Sequence, residues 1–403
     1  MSRRNTIDHQ ILKSSNTSNL VVGLDVGTTK ICAIIGRVKH SELEILTVGS
    51  AESKGLKKGI VVDVGEATTS ISKALKDAED NGKVKIDSVY VGIAGGHIKS
   101  FNGYGVIGIR ERRVTETDVE RLIEMASAVY VPVDREVLHI IPTGFSIDGI
   151  NGIVDPLGKK GAMLEARVHI VTGAITAVQS LISCCEAAGV KVADIVFEPI
   201  ASAEAVLSKE EKEMGTLMID LGGGTTDVAI FIGGILRHTA SFPIGGNHIT
   251  HDIAIGLGIT MEEAEQIKLK IEDWRLNDLN HQINKSPDQH LTTIVYLRCE
   301  ELFSLIKKEI IVFSGYKSRE DLPPYIKSVV LTGGTSLLKG IDLVAEKILG
   351  RPTRIGIPEG VTDNSLKNPI YSTGVGLVRL GDWGCFGNLK VVDRMKEWVT
   401  GLN

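Results

Sequence analysis

The sequence has few aromatic residues and no excess of positive charge. Only 4% of its 403 residues are aromatic, and the formal net charge is −5. Nucleic-acid-binding domains usually carry a basic surface patch, and no basic block stands out here, so nucleic acid is not an expected partner. A run of about eighteen apolar residues, as a membrane-spanning helix requires, is also missing, so we expect no transmembrane segment.

Cysteine is scarce and scattered. The five cysteines form no CxxC pair and show no metal-ligand spacing, a pattern typical of reduced thiols in a cytosol. Residues 1–19 are rich in Ser, Asn and Thr without an apolar central stretch, so they are predicted to be a disordered tail and not a signal peptide. The chain is expected to be soluble or to lie on a surface.

Glycine is abundant, with 44 residues, and a glycine-rich turn occurs twice. Residues 23–36 read GLDVGTTKICAIIG, and residues 219–233 read IDLGGGTTDVAIFIG. In each copy an apolar strand ends near an aspartate, Asp25 or Asp220, before a Gly/Thr-rich turn and a second apolar strand. Because a chain of this length is too long for one ordinary core, the repeat predicts two related halves.

The repeated turn is suited to binding phosphate. A turn with little side-chain bulk lets its backbone N–H groups converge on an anion, and threonine hydroxyls add donors. The aspartate can hold a water of hydrated Mg²⁺, which keeps several waters and takes few carboxylates. One copy alone could be an ordinary glycine-rich hairpin, but two matched copies facing each other would hold a chain of phosphates from both sides. No GxxxxGK[ST] sequence is present, so this is not a P-loop.

Each half is interrupted by a segment of different pattern. The stretch from about residue 87 to 167 reads as a strand, a helix and two strands, which predicts a small α+β unit in the first half. A charged, helix-rich segment runs from Thr260 to about Tyr316 in the second half. A third glycine turn, SVVLTGGTSLLKG, follows at residues 328–340.

Three motifs, LDVGTTK, IDLGGGTTD and LTGGTS, resemble the phosphate and adenosine motifs of the actin, Hsp70 and sugar-kinase ATPase superfamily. Within it, GLDVGTTKICAIIG, VLHIIPTGFSIDG, ARVHIVTG, GGILRHTASFPIGGNHIT and VLTGGTSLLKG resemble the bacterial FtsA cell-division proteins, over about residues 20–380 and in the same order. The resemblance implies an α/β protein with an actin-like ATPase fold. Two related halves would surround a nucleotide cleft, with an α+β insert subdomain in the first half.

The resemblance also implies subdomain boundaries. The first half would comprise subdomain 1A, residues 20–86 and 168–212, and the inserted subdomain 1C, residues 87–167. The second half would comprise subdomain 2A, residues 213–252 and 326–380, and subdomain 2B, residues 253–325.

The same resemblance implies a site for ATP and Mg²⁺. Asp25 and Asp220 would organise the waters of the metal ion. Glu198 would position the attacking water, but FtsA proteins vary at this position, so at most a weak ATPase is expected. The residues that would face the phosphates are Gly27, Thr28, Thr29, Lys30, Gly222, Gly223, Gly224, Thr225 and Thr226. The residues that would border the adenosine are Gly333, Gly334, Thr335 and Ser336. Glu265 and Lys268 match the purine-side helix, although two charges on a solvated helix face would give the same pattern.

The last residues form an amphipathic pattern. Residues 381–387 are a predicted linker, and residues 388–403 place their apolar side chains within an arc of about 120° on a helix. These apolar residues are Val391, Val392, Met395, Trp398, Val399 and Leu402. The helix could dock on its own domain or lie on a membrane, and the membrane-targeting helix at the end of FtsA-like proteins favours the second. One such helix binds lipid reversibly, so self-association into a filament would strengthen the hold.

The resemblance therefore implies a peripheral adaptor of bacterial cytokinesis at the cytoplasmic face of the inner membrane, at the division site. It would polymerise and tether filaments of the tubulin-like protein FtsZ. The FtsZ C-terminal peptide would bind subdomain 2B at Arg298, with Lys307 as a weaker candidate, and the insert would contact later division proteins. A sugar or acetate kinase, or a pilus-assembly ATPase relative that shares the insert, are the alternatives.

Overall fold

A computed structural model of the chain describes residues 20–39, 42–271, 287–316 and 321–382. The predicted N-terminal tail and the amphipathic segment at residues 388–403 lie outside the described residues, and so does the predicted linker from residue 383 onward. Residues 381 and 382 are described, and they are the end of a helix and not linker.

The first half opens with an antiparallel three-stranded meander and a long helix. Its elements are β1 (Val21–Val26), β2 (Lys30–Lys39), β3 (Glu42–Glu52), β4 (Leu56–Lys57), β5 (Ile60–Val61), α1 (Val64–Gly82) and β6 (Ser88–Ile93). Helix α1 begins after Asp63, whose side chain accepts a hydrogen bond from the N–H of Glu66. Ile71, Leu75 and Ala78, whose spacing predicts one helix face, are buried in the core.

A small α+β unit follows, and the term "insert" is used for it below. Its elements are β7 (Lys99–Gly108), α2 (Glu116–Ser127), β8 (Arg135–Ile147), β9 (Ile150–Ile153) and β10 (Met163–Ala174). The strands form a separate antiparallel sheet in the order β7-β10-β8-β9, and α2 packs on β7 and β10. Strand β6 pairs with β1 and so belongs to the first-half sheet, which means that the elements of the insert begin at residue 99 and not at the predicted 87. They end at residue 174, which is also later than the predicted 167.

Four elements then complete the first half. They are α3 (Ile175–Ala187), β11 (Lys191–Phe197), α4 (Glu198–Val206) and α5 (Lys209–Met214). The first-half sheet has the order β3-β2-β1-β6-β11, in which β6 and β11 run parallel to β1. Glu198 is therefore the first residue after a strand of this sheet, at the edge where β1 also ends.

The second half repeats this plan. Its elements are β12 (Thr216–Leu221), β13 (Thr226–Ile232), β14 (Ile235–Phe242), α6 (Gly246–Leu257), α7 (Met261–Lys270), α8 (Pro287–Ser314), β15 (Ser328–Thr332), α9 (Ile341–Leu349), β16 (Thr353–Ile355) and α10 (Ser372–Asp382). Its sheet has the order β14-β13-β12-β15-β16, again a meander extended by two parallel strands. The equal strand order confirms the two related halves that the repeated turn predicts.

Helix α10 crosses back to the first half. Its buried residues Val375 and Val378 belong to the same apolar cluster as Ile34 of β2, and α10 packs on β1, β2 and α4. A Cβ atom on Gly376 would lie 1.8 Å from the carbonyl oxygen of Ala201, so only glycine allows this approach. The end of the predicted second-half range 326–380 therefore packs with the first half.

Strand β14 of the second half bonds to the insert. Ser100 Oγ donates to the carbonyl of Thr239 at 2.9 Å, and His169 Nε2 lies 2.9 Å from Thr239 Oγ1. Arg237 donates to the carbonyl of Thr143 in β8. The insert is thus held by both halves and not by the first alone.

Candidate functional site

The two glycine turns have the same backbone hydrogen bond. Gly27 donates its N–H to the carbonyl of Lys30 at 3.1 Å, between β1 and β2. Gly222 donates its N–H to the carbonyl of Thr225 at 3.0 Å, between β12 and β13. Each glycine follows its aspartate by two residues, so the sequence repeat is also a geometric one.

The turns face each other in contact. A Cβ atom on Gly223 would lie 2.0 Å from Thr29 Oγ1, and one on Gly224 would lie 2.5 Å from Thr28 Oγ1. Any larger residue would push the hydroxyl groups of the first turn away from the backbone of the second. The two turns can therefore lie this close only because Gly223 and Gly224 of the second turn have no side chains.

A cavity of about 760 Å³ lies between the halves beside these turns. Its volume is within the roughly 300–1,000 Å³ typical of small-molecule sites. The structure brings most of the predicted site residues to its wall. These are Asp25, Gly27, Thr28, Thr29, Lys30, Glu198, Asp220, Gly222, Gly223, Gly224, Thr225, Glu265, Lys268, Gly333, Gly334 and Thr335.

Two predicted residues do not line the cavity. The hydroxyl of Thr226 is buried and donates to the carbonyl of Ile244 at 2.8 Å. The hydroxyl of Ser336 is buried and donates to the carbonyl of Gly333 at 2.7 Å. In the structure both side chains brace the backbone behind the wall, because their hydroxyl groups find nearby carbonyl acceptors.

The deep end of the cavity collects carboxyl groups. Burial raises the pKa of Asp25 to about 7, while Lys30 lowers it and Asp220 raises it further. Burial also raises the pKa of Glu198 well above its usual range, and the charges of Asp25, Asp227 and Asp220 add to the shift. Ionising Asp25, Glu198 and Asp220 together in one cleft is unfavourable unless a cation enters.

One lysine faces these acids. Lys30 Nζ donates to the carbonyl of Ile370 at 3.2 Å and lies 4.3 Å from the centre of the Tyr371 ring. Within the ranges that the structure describes, no three His, Cys, Asp or Glu side chains form a direct metal-ligand set. The carboxyl groups at this end could hold a cation through its own waters, as Mg²⁺ prefers.

Asp220 is held by hydroxyl groups that the sequence did not single out. Ser202 Oγ donates to Asp220 Oδ2 at 2.5 Å, and Thr373 Oγ1 donates to the same oxygen at 3.3 Å. Ser202 follows Glu198 by one helical turn of α4, which is the signal that could have indicated it. Thr373 comes from α10, and nothing in its own sequence points to the cleft.

Glu265 and Lys268 form a small network on the wall. Lys268 Nζ lies 2.7 Å from Glu265 Oε2 and donates to Thr250 Oγ1 at 2.9 Å. Thr250 Oγ1 in turn donates to Glu265 Oε2 at 2.5 Å. The side chain of Lys268 is 11% exposed, which is little for a charge on a solvated helix face.

The two partner-binding candidates on α8 point in different directions. Arg298 contacts Asp252 of α6 through two nitrogens, at 2.5 and 3.0 Å, and Glu301 at 2.5 Å. Lys307 Nζ instead donates to the carbonyl of Ile348 in α9 at 2.9 Å. The structure does not bring them together, because nine residues on an α-helix amount to about half a turn in direction.

None of the helices within the described ranges is both long and apolar enough to cross a bilayer. The predicted membrane residues Val391, Val392, Met395, Trp398, Val399 and Leu402 lie outside those ranges.

Comparison with known proteins gives consistent matches. The family "Cell division protein FtsA" matches residues 217–376, and "SHS2 domain inserted in FTSA" matches residues 95–172. The chain is 39% identical to the cell division protein FtsA of Pseudomonas aeruginosa, over 97% of this chain and 100% of that protein.

Two solved structures share the fold at low sequence identity. The PilM-PilN type IV pilus biogenesis complex has a TM-score of 0.66 at 16% identity, covering 90% of this chain and 98% of that one. MreB5 of Spiroplasma citri bound to ADP has a TM-score of 0.51 at 16% identity, covering 90% and 96%. These likenesses confirm the predicted actin-like ATPase fold, and the SHS2 match at residues 95–172 confirms the insert.

Proposed function

The chain belongs to the FtsA family of bacterial cell-division proteins, and from this premise we propose that it is an ATP-binding adaptor of the division site. It tethers FtsZ filaments to the cytoplasmic face of the inner membrane as a peripheral membrane protein. It self-associates into filaments, and later division proteins contact its insert. Hydrolysis of ATP is at most weak.

The contact between the two turns is the observation that supports nucleotide binding most strongly. Gly27 and Gly222 make matching hydrogen bonds, and the hydroxyl groups of Thr28 and Thr29 lie against the opposite turn. These two hydrogen bonds fix the shape of the turns, and the remaining backbone N–H groups and the hydroxyl groups of the turns suit a chain of phosphates. The fold neighbour MreB5 is described as bound to ADP, which agrees with a nucleotide in this cleft.

Magnesium fits the acidic end of the cleft. Asp25 and Asp220 would hold waters of the ion, which would supply positive charge to the phosphates and the surrounding carboxylates. Ser202 and Thr373 fix the orientation of Asp220 for this role. Lys30 is the protein's own cation at this end.

Arg298 supports a binding site for the FtsZ C-terminal peptide. Its guanidinium is bonded to Asp252 and Glu301, and carboxylates of a partner would compete for the same donors. Ile255 of α6 is 69% exposed and Leu297 of α8 is 54% exposed, so these two helices also offer apolar surface. Such a surface suits a short peptide with acidic and apolar side chains. Lys307 has a carbonyl partner on the other side of α8 and is not needed.

Nucleotide binding is tested by titration calorimetry with ATP, with and without Mg²⁺. We expect Asp25→Asn to weaken binding in Mg²⁺ by about tenfold or more, because a group that holds the metal waters is lost. Asp80→Asn, on the exposed face of α1, is the matched control and keeps the wild-type affinity. Equal affinity of both variants would contradict a cation at this site.

The adaptor function is tested by co-sedimentation with vesicles that contain phosphatidylglycerol. We expect the full chain to carry FtsZ into the pellet, and ATP with Mg²⁺ to increase the amount. A chain that ends at residue 387 stays in the supernatant together with FtsZ, because the amphipathic segment is missing. Pelleting of the shortened chain with the vesicles would refute membrane attachment through residues 388–403.

A further inference from the structure

A small cavity lies behind the nucleotide cleft at the base of the insert. Its volume is about 10 Å³, and its wall includes Glu198, His97 and apolar residues such as Leu181. Glu198 also lines the large cleft, so its side chain separates the two spaces. Topology explains the meeting, because the His97 loop follows β6, Glu198 follows β11, and these parallel strands end side by side.

His97 has unmet hydrogen-bonding capacity in this cavity. Both of its ring nitrogens are buried, and neither bonds to any residue that the structure describes. Burial, with Arg135 nearby, lowers the pKa of His97 to about 4, so the ring is neutral at pH 7 and offers one donor and one acceptor. Buried polar atoms without a protein partner normally bind an ordered water.

The cavity has room for one such water. About 10 Å³ is close to the lower limit of the space that a buried water requires, and two polar side chains line the wall. A dry cavity would leave both ring nitrogens of His97 without a partner, and one water satisfies one of them.

We propose that a buried water joins His97 to the carboxyl group of Glu198, and that His97 is thereby a positioning residue for Glu198. The inference rests on the proposed nucleotide site, in which Glu198 faces the attacking water. His97 is also fixed to the insert, since Arg135 Nη2 donates to its carbonyl at 2.7 Å and to the carbonyl of Thr172 at 2.8 Å. The entry and exit strands of the insert are thus held together beside the residue that shares this cavity with Glu198.

Two variants separate hydrogen bonding from packing. His97→Leu fills similar space but cannot bind the water, whereas His97→Gln keeps a donor and an acceptor. His251→Leu, on the exposed side of α6, is the matched control. Each variant is crystallised with a non-hydrolysable ATP analogue, its ATP turnover is measured, and its affinity for a fluorescent ATP analogue is determined.

We expect a water within hydrogen-bonding distance of His97 and Glu198 in the wild type and in His97→Gln, and none in His97→Leu. The kcat of His97→Leu falls about tenfold with KM and nucleotide affinity unchanged, as for the loss of one hydrogen bond. His97→Gln retains most of the turnover, and His251→Leu behaves as the wild type.

A dry cavity in the wild type, or wild-type kcat in His97→Leu, overturns the inference. If the wild type binds the analogue without turnover, the presence of the water and its loss in His97→Leu decide the question alone. If no nucleotide binds, the proposed function fails, while crystals of the ligand-free chain still show whether the water is present.

Discussion

Gly333 illustrates how single residues are fitted around the cleft. It has a φ of +82°, and a Cβ atom there would lie 2.3 Å from Asp220 Oδ1 and 2.7 Å from the carbonyl oxygen of Leu221. We expect Gly333→Ala to weaken ATP binding at least tenfold and to lower the free energy of unfolding by about 2 kcal/mol or more, because Asp220 must move.

Gly350 provides the comparison for this variant. Its φ is +67°, but no atom lies within 4 Å of a Cβ placed on it, so Gly350→Ala adds backbone strain without a collision. We expect a loss of about 1 kcal/mol and normal ATP binding, measured by urea unfolding and calorimetry. Equal nucleotide affinity of the two variants would contradict the role given to Gly333.

Asp227 gives the protein a pH dependence in the absence of nucleotide. It lies opposite Asp220 in the strand pair β12–β13, and burial raises its pKa to about 7 from 3.8. Because the folded-state value is the higher one, its contribution to stability is present below pH 4 and is lost as the pH rises through 7. The stability of Asp227→Asn relative to wild type should therefore rise by about 3 kcal/mol from pH 4.5 to pH 8. Urea unfolding at both pH values measures this, and a difference that does not change with pH would contradict it.

The sequence indicates cleft residues where the chemistry is local. Asp25, Asp220 and the glycines between paired strands are recognisable because the turn itself requires them. Asp227 and Thr373 were not predicted, since their place depends on a strand partner and on a helix that returns from far along the chain. Local pattern does not contain that information.

At the scale of elements, the bonds between β14 and the insert are open to a direct test. Thr239→Val removes the hydroxyl beside His169 and leaves His169 Nε2 buried without this partner. We expect a loss of about 1–3 kcal/mol in stability and faster hydrogen exchange at β7 and β14 amides. Thr239→Ser keeps the hydroxyl, so the exchange of these amides should remain slow. Equally fast exchange in both variants would show that the hydroxyl does not hold the insert.

Two variants on helix α8 should separate the effect on partner binding from the effect on stability. Arg298→Ala is expected to weaken binding of an FtsZ C-terminal peptide, measured by fluorescence anisotropy, about tenfold with little change in melting temperature. Lys307→Ala removes the donor to the Ile348 carbonyl near the end of α9, so it costs about 1 kcal/mol in stability and leaves peptide affinity intact. The reverse result would place the peptide on the α9 side of the helix.

Apolar spacing predicted most of the elements but not all of their neighbours. The spacing in α1 indicates its buried face, and the apolar runs on either side of each glycine turn indicate the paired strands of both halves. Spacing tells which face of an element is buried, and not which element covers it. For this reason the limits of the insert were misplaced by several residues at each end.

For the whole molecule, α10 predicts how far the chain can be shortened. Ending the chain at residue 371 removes four side chains buried in the first-half core, namely Val375, Leu377, Val378 and Leu380. At about 1.5–3 kcal/mol each, this loss is comparable to the total stability of a typical domain. In the chain that ends at residue 371, thermal unfolding followed by circular dichroism should show no cooperative transition of the first half. A chain that ends at residue 382 should melt as the full chain does. Normal melting of the shorter chain would contradict the packing of α10.

If the chain attaches to lipid as proposed, helix α10 also determines which half lies next to the membrane. Residue 382 ends a helix embedded beside β1, so any anchor that follows it is attached to the first half and travels with that half. In the proposed adaptor, the first half, which carries the insert, is attached to the bilayer through the segment that follows α10. Arg298 belongs to the second half, which has no such attachment. A change in the angle between the halves would then change the distance between the FtsZ filament and the lipid, while the first half stays attached to the membrane.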